Sequence, residues 1–391
     1  MIKSEKTYLD AAATSFPKPE AVYDETLAFA REIGIGNDRG HYREGRAVAE
    51  VIRRAREGIG RIINAPAENI IFTSGTTESL NTFLFGYLRP VDHVIYSPFE
   101  HNAARRPLRY LEKYRGLELT RLTGDIQSGI NPDDIARAVS PRTRACVISH
   151  ISNAFGLVQP VEEIGRILKN YGEIAFVVDG AQSTGTYPVD LEKFGADFFA
   201  FSGHKGLLAP TGIGGFYIAS HLVEQTQPLK YGGTGSNSAA PICLEQLPAR
   251  YEVGTQNTWG IAGMAAGTEY VLGETVKEIH ARIKTVTEAT IKQLLNNSLI
   301  NLYLPADSEH HSVISFNFAD FSPRDTADLL ETGFNIKVRD GLHCSPDAHR
   351  IAGTFPRGTV RASFGYFNTP ADGQRLVDAL EEMKNDRMET K

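Results

Sequence analysis

Cysteine is scarce: Cys146, Cys243 and Cys344 are the only three in 391 residues. An odd, widely spaced set excludes a disulfide framework, and no Cys-x-x-Cys pair offers zinc ligation, so no metal is expected. No apolar run approaches the length of a bilayer span. Met1 to Asp10 mixes charges with single apolar residues and has no secretory core. A reducing, cytoplasmic setting away from membranes is the expectation. There is no basic run interleaved with aromatics, and the formal net charge is −6. Nucleic acid is therefore not an expected partner. Repeats, low-complexity tracts and charged tails are also missing.

What remains is a chain 41% hydrophobic and 23% charged, globular in composition and too long for one ordinary core. From Val22 to Tyr217, strand-like runs alternate with helix-like runs. The strand candidates are Ile70–Thr73, Val94–Pro98, Ala145–His150, Ile174–Asp179, Asp197–Ser202 and Gly215–Ile218. Helical patterns cover Ala47–Ile63, Thr76–Leu88 and Val161–Tyr171. Strands separated by helices imply crossover connections and a mostly parallel sheet, and the nearly unbroken apolar strands imply helices on both faces. Beyond Gly260 the text changes. One long helix is predicted from Ala262 to about Leu295, then strands at Val313–Phe318 and Thr359–Phe364. Ser322-Pro323 and Thr369-Pro370 each read as an N-cap followed by a first helical residue. The expected fold class is α/β: a large parallel-sheet domain (residues 21–260), a smaller α+β domain (261–391), and an N-terminal segment (1–20) packing on the small domain or the junction.

The chemistry gathers at strand ends. Lys205 follows the strand Asp197–Ser202 and precedes a glycine-rich stretch. Alone it reads as a surface lysine, but a lysine whose pKa is lowered in so tight a setting forms Schiff bases. Asp179 ends a buried strand, where open α/β sheets place ligand groups. Its carboxylate can keep a pyridine nitrogen protonated, which is what pyridoxal phosphate needs to act as an electron sink. Gln182, three residues on, is a donor for that cofactor's phenolic oxygen. Thr73-Ser74-Gly75-Thr76-Thr77-Glu78 joins a strand to a helix, and the amides of that first turn with the Thr76 and Thr77 hydroxyls suit a phosphate. Ser202 and His204 add donors. His101 and Asn153 end two further strands. A histidine ring there can stack on the pyridine and move protons. Each residue alone is ordinary; the set is not.

The whole chain, from Leu9-Asp10-Ala11-Ala12-Ala13-Thr14 to Arg361-Ala362-Ser363, resembles class V aminotransferase-type proteins of the type I fold, and among them the cysteine desulfurases and selenocysteine lyases. The pieces carrying the resemblance include Gly75-Thr76-Thr77-Glu78, Glu100-His101, Asp179-Gly180-Ala181-Gln182, Ser202-Gly203-His204-Lys205 and Glu252-Val253-Gly254-Thr255-Gln256-Asn257. The resemblance implies that Lys205 carries pyridoxal 5'-phosphate, Asp179 pairs with the ring nitrogen, Gln182 binds the phenolic oxygen and His101 stacks on the ring. It places Thr76 or Thr77, Ser202 and His204 on the phosphate, with Asn153 at the cofactor and the substrate. Thr255 would reach the phosphate in a partner subunit, which implies a homodimer. Arg339-Asp340-Gly341-Leu342-His343-Cys344 aligns with the family's Arg-x-Gly-x-His-Cys segment, so Cys344 falls on the sulfur-accepting cysteine, with Arg339 and His343 as neighbours that favour its thiolate. Arg361 falls on the arginine for the substrate carboxylate, a task suited to a fork of donors. His41 lies in a stretch that corresponds loosely to the substrate side.

The spacing from Cys344 to Arg361 resembles the short-loop branch, whose members commonly pass sulfur to a separate acceptor protein, in iron–sulfur assembly or related pathways. The expected activity is conversion of L-cysteine to L-alanine with a persulfide on Cys344. The alternatives are a selenocysteine lyase, another C–S lyase or an aminotransferase of the same fold, and, from another class, a non-catalytic regulatory or scaffold protein. Tyr231–Asn237 and Gly206–Ala209 depart from better-known members, which leaves the substrate open rather than the cofactor.

Overall fold

The computed structural model describes residues 6–36, 42–233, 246–319 and 321–389. Its strands are β1 (Thr7–Tyr8), β2 (Ile70–Thr73), β3 (His93–Tyr96), β4 (Glu118–Arg121), β5 (Thr143–Ser149), β6 (Ala175–Asp179), β7 (Phe198–Ser202), β8 (Gly214–Ile218), β9 (Ile300–Tyr303), β10 (Val313–Phe318), β11 (Ile336–Lys337), β12 (Arg339–Gly341) and β13 (Thr359–Ser363). Seven of them form one sheet in the order β2-β8-β7-β6-β5-β3-β4. Only β8 runs against the rest. The mostly parallel sheet that the alternating text predicts is therefore present, and β6 and β7 are buried at every position. Helices Thr76–Tyr87 and Asn102–Arg115 cover one face through Leu80, Phe83, Leu84, Leu108 and Leu111. The other face is covered through Ile59, Ile164, Ile261 and their neighbours.

Beyond the large sheet lies an antiparallel sheet of order β12-β13-β10-β9, backed by helices Val276–Leu294, Pro323–Phe334 and Pro370–Glu389. The two N-cap signals hold. Ser322 caps its helix in a reciprocal box with Asp325, with proline in the first turn. Thr369 binds Asp372 through both its amide and its hydroxyl.

One expectation fails: the single helix from 262 to 295 is two, Thr258–Glu274 and Val276–Leu294. Thr275 breaks it with φ +66, and its Oγ1 accepts from the Glu278 amide to cap the second helix. The apolar periodicity runs on across the break, which is why the sequence reads as continuous. β4 and β9 escape the sequence reading because they are short edge strands without a buried face.

The N-terminal segment is stitched to the small sheet by main chain. The Leu9 amide donates to Lys337 O, the Ser363 amide to Leu9 O, and the Ala11 amide to Ser363 O. This carries Ala12 and Ala13 to the C-terminal ends of the large-sheet strands, where they line a cavity.

Candidate active site

The cavity, of about 230 Å³, lies between the two sheets. Ten residues singled out from the sequence line it: Thr76, Thr77, His101, Asn153, Asp179, Gln182, Ser202, His204, Lys205 and Arg361. Burial lowers the pKa of the Lys205 amine to about 8, with Asp179 opposing and Arg361 and Arg339 assisting. Burial likewise raises Asp179 from its ordinary value, against the Ala181 amide (3.0 Å) and the Lys205 charge. A cationic ring nitrogen is the partner such a carboxylate lacks.

A phosphate cup is built around Gly75, whose φ of +147 suits a residue without a side chain. Helix Thr76–Tyr87 starts there with no side-chain cap of its own, and its Thr76 amide donates to Ser202 Oγ at 3.3 Å, a contact that an anion in the cup would take over. Thr76 Oγ1 and Ser202 Oγ are 2.7 Å apart. The His204 Nδ1 is buried without a partner among the described residues. An uncapped helix start, two hydroxyls and an orphaned imidazole nitrogen fit the phosphate of pyridoxal phosphate, just as Asp179 and Lys205 fit its ring.

His101 is the N-cap of helix Asn102–Arg115. Its Nδ1 accepts from the Ala103 amide at 3.0 Å, which places the ring proton on Nε2. Burial, aided by Lys205, Arg339 and Arg361, holds its pKa down at about 3, so the ring is neutral at physiological pH. Gln182 Nε2 donates to Ala12 O at 3.0 Å, tying the cofactor side to the N-terminal segment. Behind the cavity, Glu100 is buried against Ser97 Oγ and both the amide and hydroxyl of Ser149. Burial pushes its pKa up to about 8.

The opposite wall comes from the small sheet. Arg339 and Arg361 face each other across β12 and β13. Arg339 lines the cavity, and its Nη2 lies 3.6 Å from Cys344 Sγ. His343 and Cys344 both have left-handed backbone, φ +48 and +61. That costs about 1–2 kcal/mol per residue, so the turn must be held. Asn153 Nδ2 donates to His343 O at 2.6 Å and Ser345 Oγ donates to Asn153 Oδ1 at 2.7 Å. The Asn102 amide donates to Cys344 O at 2.8 Å. The amide of Asn153 is thus engaged with the cysteine turn.

One expectation is corrected here. His343 is 2% exposed, is bonded through Nε2 to Thr359 Oγ1 at 3.0 Å, and has a pKa held well below its ordinary value by burial. It is neutral and supplies no charge to Cys344; the cation at the sulfur is Arg339. The sequence reading names Arg339 only as a neighbour of the thiol and misses it as a cavity residue. Its three-residue strand carries no periodic signal.

Thr255 stands outside this cavity, in another one near Glu78 and Lys230. His41 and Cys243 lie outside the described residues, as does the end of the Tyr231–Asn237 stretch. Cys146 is fully buried in β5, with its thiol pKa pushed up by burial. Among the described residues no helix is long and apolar enough to cross a membrane.

A mostly parallel seven-stranded sheet whose strand ends border a cavity lined by Lys205 and Asp179 is the type I pyridoxal-phosphate fold. The chain belongs to the aminotransferase class-V family, whose profile matches residues 7–376. It is 35% identical to a probable cysteine desulfurase of Methanothermobacter thermautotrophicus, covering 96% of this chain and 94% of the relative. It is 30% identical to a cysteine desulfurase of Haloferax volcanii, covering 96% and 88%. Among solved structures, the apo cysteine desulfurase of Thermococcus onnurineus superposes with a TM-score of 0.90 at 32% identity, covering 97% and 94%. The Escherichia coli cysteine desulfurase CsdA gives 0.86 at 29%, covering 96% and 94%.

Proposed function

We propose that the chain is a pyridoxal-phosphate-dependent cysteine desulfurase that converts L-cysteine to L-alanine and takes the sulfur onto Cys344. The observation that carries this reading is the pinned, left-handed Cys344 turn, whose thiol meets a guanidinium lining the same cavity as Lys205 and Asp179.

When bound, the cofactor supplies a sink for the electron pair left at the substrate Cα. The protein does the rest. Asp179 would hold the ring nitrogen protonated, and Thr76, Ser202 and His204 would anchor the phosphate. The neutral His101 ring, in the cavity wall, would offer its Nε2–H as a donor. Lys205 Nζ would hold the cofactor and, as a free amine, would take the Cα proton of the bound amino acid. Arg361 takes the substrate carboxylate, and Arg339 Nη2 stands 3.6 Å from the Cys344 sulfur. The Cys344 sulfur attacks the substrate sulfur. An S–S bond forms as the substrate Cβ–S bond breaks and the electron pair stays with the Cβ side; protonation of Cβ and return of the proton from Lys205 to Cα give alanine. An acceptor thiol then attacks the persulfide. The acceptor is a separate protein, the enzyme is a cytoplasmic homodimer to whose partner site Thr255 contributes, and the sulfur serves iron–sulfur cluster assembly.

Purified protein incubated with L-cysteine and a reductant should release alanine and sulfide in equal amounts. Cys344→Ser should lose the persulfide while keeping the cofactor absorbance. Full sulfur transfer by that variant would overturn the role of Cys344. A keto acid in place of alanine would make the enzyme an aminotransferase.

A further inference from the structure

Arg361 is 1% exposed on its side chain and central in the small sheet, and a buried guanidinium needs its donors satisfied. Two are. Nη2 donates to Asp10 Oδ1 at 2.7 Å, and Nη1 donates to the Asn153 carbonyl at 2.9 Å. Nε is buried and has no partner among the described residues. Arg361 lines the cavity. The guanidinium borders the cavity with one donor unmet, so a ligand acceptor that reaches Nε completes the set.

Asp10 is not part of the small sheet. It arrives on the N-terminal segment, bridging Ser363, and its side chain is 20% exposed. Arg339 stands beside Arg361 in register, and Lys205 is the next cation. Asp10 is thus the carboxylate that meets a cluster of three cations, yet it takes one N–H of Arg361 and leaves Nε free. A bidentate Asp10 would occupy the fork that a carboxylate ligand requires.

We propose that Asp10 is a positioning residue for substrate recognition. It clamps Nη2 from the N-terminal side while Asn153 O clamps Nη1, so that the guanidinium presents its Nε edge to the α-carboxylate of the incoming amino acid. The inference rests on the reading of Arg361 as the carboxylate site. It assigns to the N-terminal segment a share in substrate affinity, not in cofactor binding or in bond breaking. Asp10→Ala lets the guanidinium turn; Asp10→Asn keeps an oxygen acceptor of the same size in place.

The test uses holoenzyme variants and two ligands that differ only in the carboxylate, L-alanine and ethylamine, titrated by cofactor absorbance beside the kinetics with L-cysteine. Asp10→Ala should raise the KM for cysteine and the Kd for alanine roughly tenfold or more, as for a lost charge-assisted contact. It should hold kcat within about threefold and leave ethylamine binding unchanged. Asp10→Asn should recover most of the loss. Asn368→Ala removes a different bond to the same segment, from Asn368 Nδ2 to Tyr8 O at 3.0 Å, and should leave the alanine-to-ethylamine ratio as it was. Equal weakening of alanine and ethylamine in Asp10→Ala, or an Asn368→Ala variant that reproduces it, would overturn the proposal. Arg361→Ala run alongside separates the two readings. If it too weakens alanine and ethylamine equally, the carboxylate site itself is wrong. If it weakens alanine selectively and Asp10→Ala does not, only the role of Asp10 falls.

Discussion

On the large-sheet side of the cavity, β5, β6 and β7 run parallel and end together, so Ser149, Asp179 and Ser202 reach the site as the last residues of buried strands. The helix dipole at Thr76 and the turn to Lys205 follow from the same strand-end logic. On the small-sheet side nothing ends at the cavity in that way. Arg361 sits mid-strand, Arg339 opens a three-residue strand, and Cys344 occupies a strained turn held by Asn153 and Asn102. The first wall, the proposed cofactor-binding surface, is set by topology. The second, the proposed reactive arrangement, is set by side-chain bonds from elsewhere, and it should be the easier of the two to disturb without unfolding the protein.

Removing the key residue of the first wall gives the largest expected effect. Lys205→Ala should leave no cofactor covalently trapped by borohydride and should lower alanine production by roughly 10²- to 10⁴-fold, the scale of a lost proton-transfer group. The same lysine gives a pH test. Only the unprotonated amine attaches to the cofactor, so capture by apoprotein should rise with pH and reach half its maximum near pH 8, not 10.5. Asp179 raises that pKa, so Asp179→Asn should move the midpoint to lower pH. A midpoint near 10 would mean that the amine is not desolvated.

The second wall is tested through its fastening. Asn153→Ala frees His343 O and Ser345 Oγ and should loosen the Cys344 turn. Persulfide formation should fall about tenfold, with a stability loss of about 1–3 kcal/mol and an unchanged cofactor spectrum. A matching loss of cofactor would tie Asn153 to the first wall instead. The smallest effect belongs to Cys146→Ala. That thiol is buried and remote from chemistry, so sulfur transfer should be unaffected, with a melting shift set only by a small cavity.

The residues legible in sequence are those whose position follows from local pattern. Asp179 and Ser202 close apolar strands, Thr76 opens a helix, and Ser322 and Thr369 announce their helices as caps. Where the local pattern is silent or misleading, the reading goes astray. Thr275 splits a helix inside unbroken periodicity. His343 looks like a charge beside a thiol and is a buried, neutral ring bonded to Thr359. Arg339 has the right residue type, but nothing in three residues of strand says that it points into a cavity.

The sequence alone determined the parallel sheet and the candidate groups at its strand ends, because strand alternation and caps are encoded over a few residues; the candidate sulfur-bearing cysteine came from the family resemblance. Only the tertiary structure decided how Asp10 meets Arg361 across 351 positions, how Asn153 grips the turn of Cys344, and which neighbour of that thiol bears charge. Those outcomes depend on burial and on contacts between segments that share no local pattern, and desolvation acts only once the chain has closed around them.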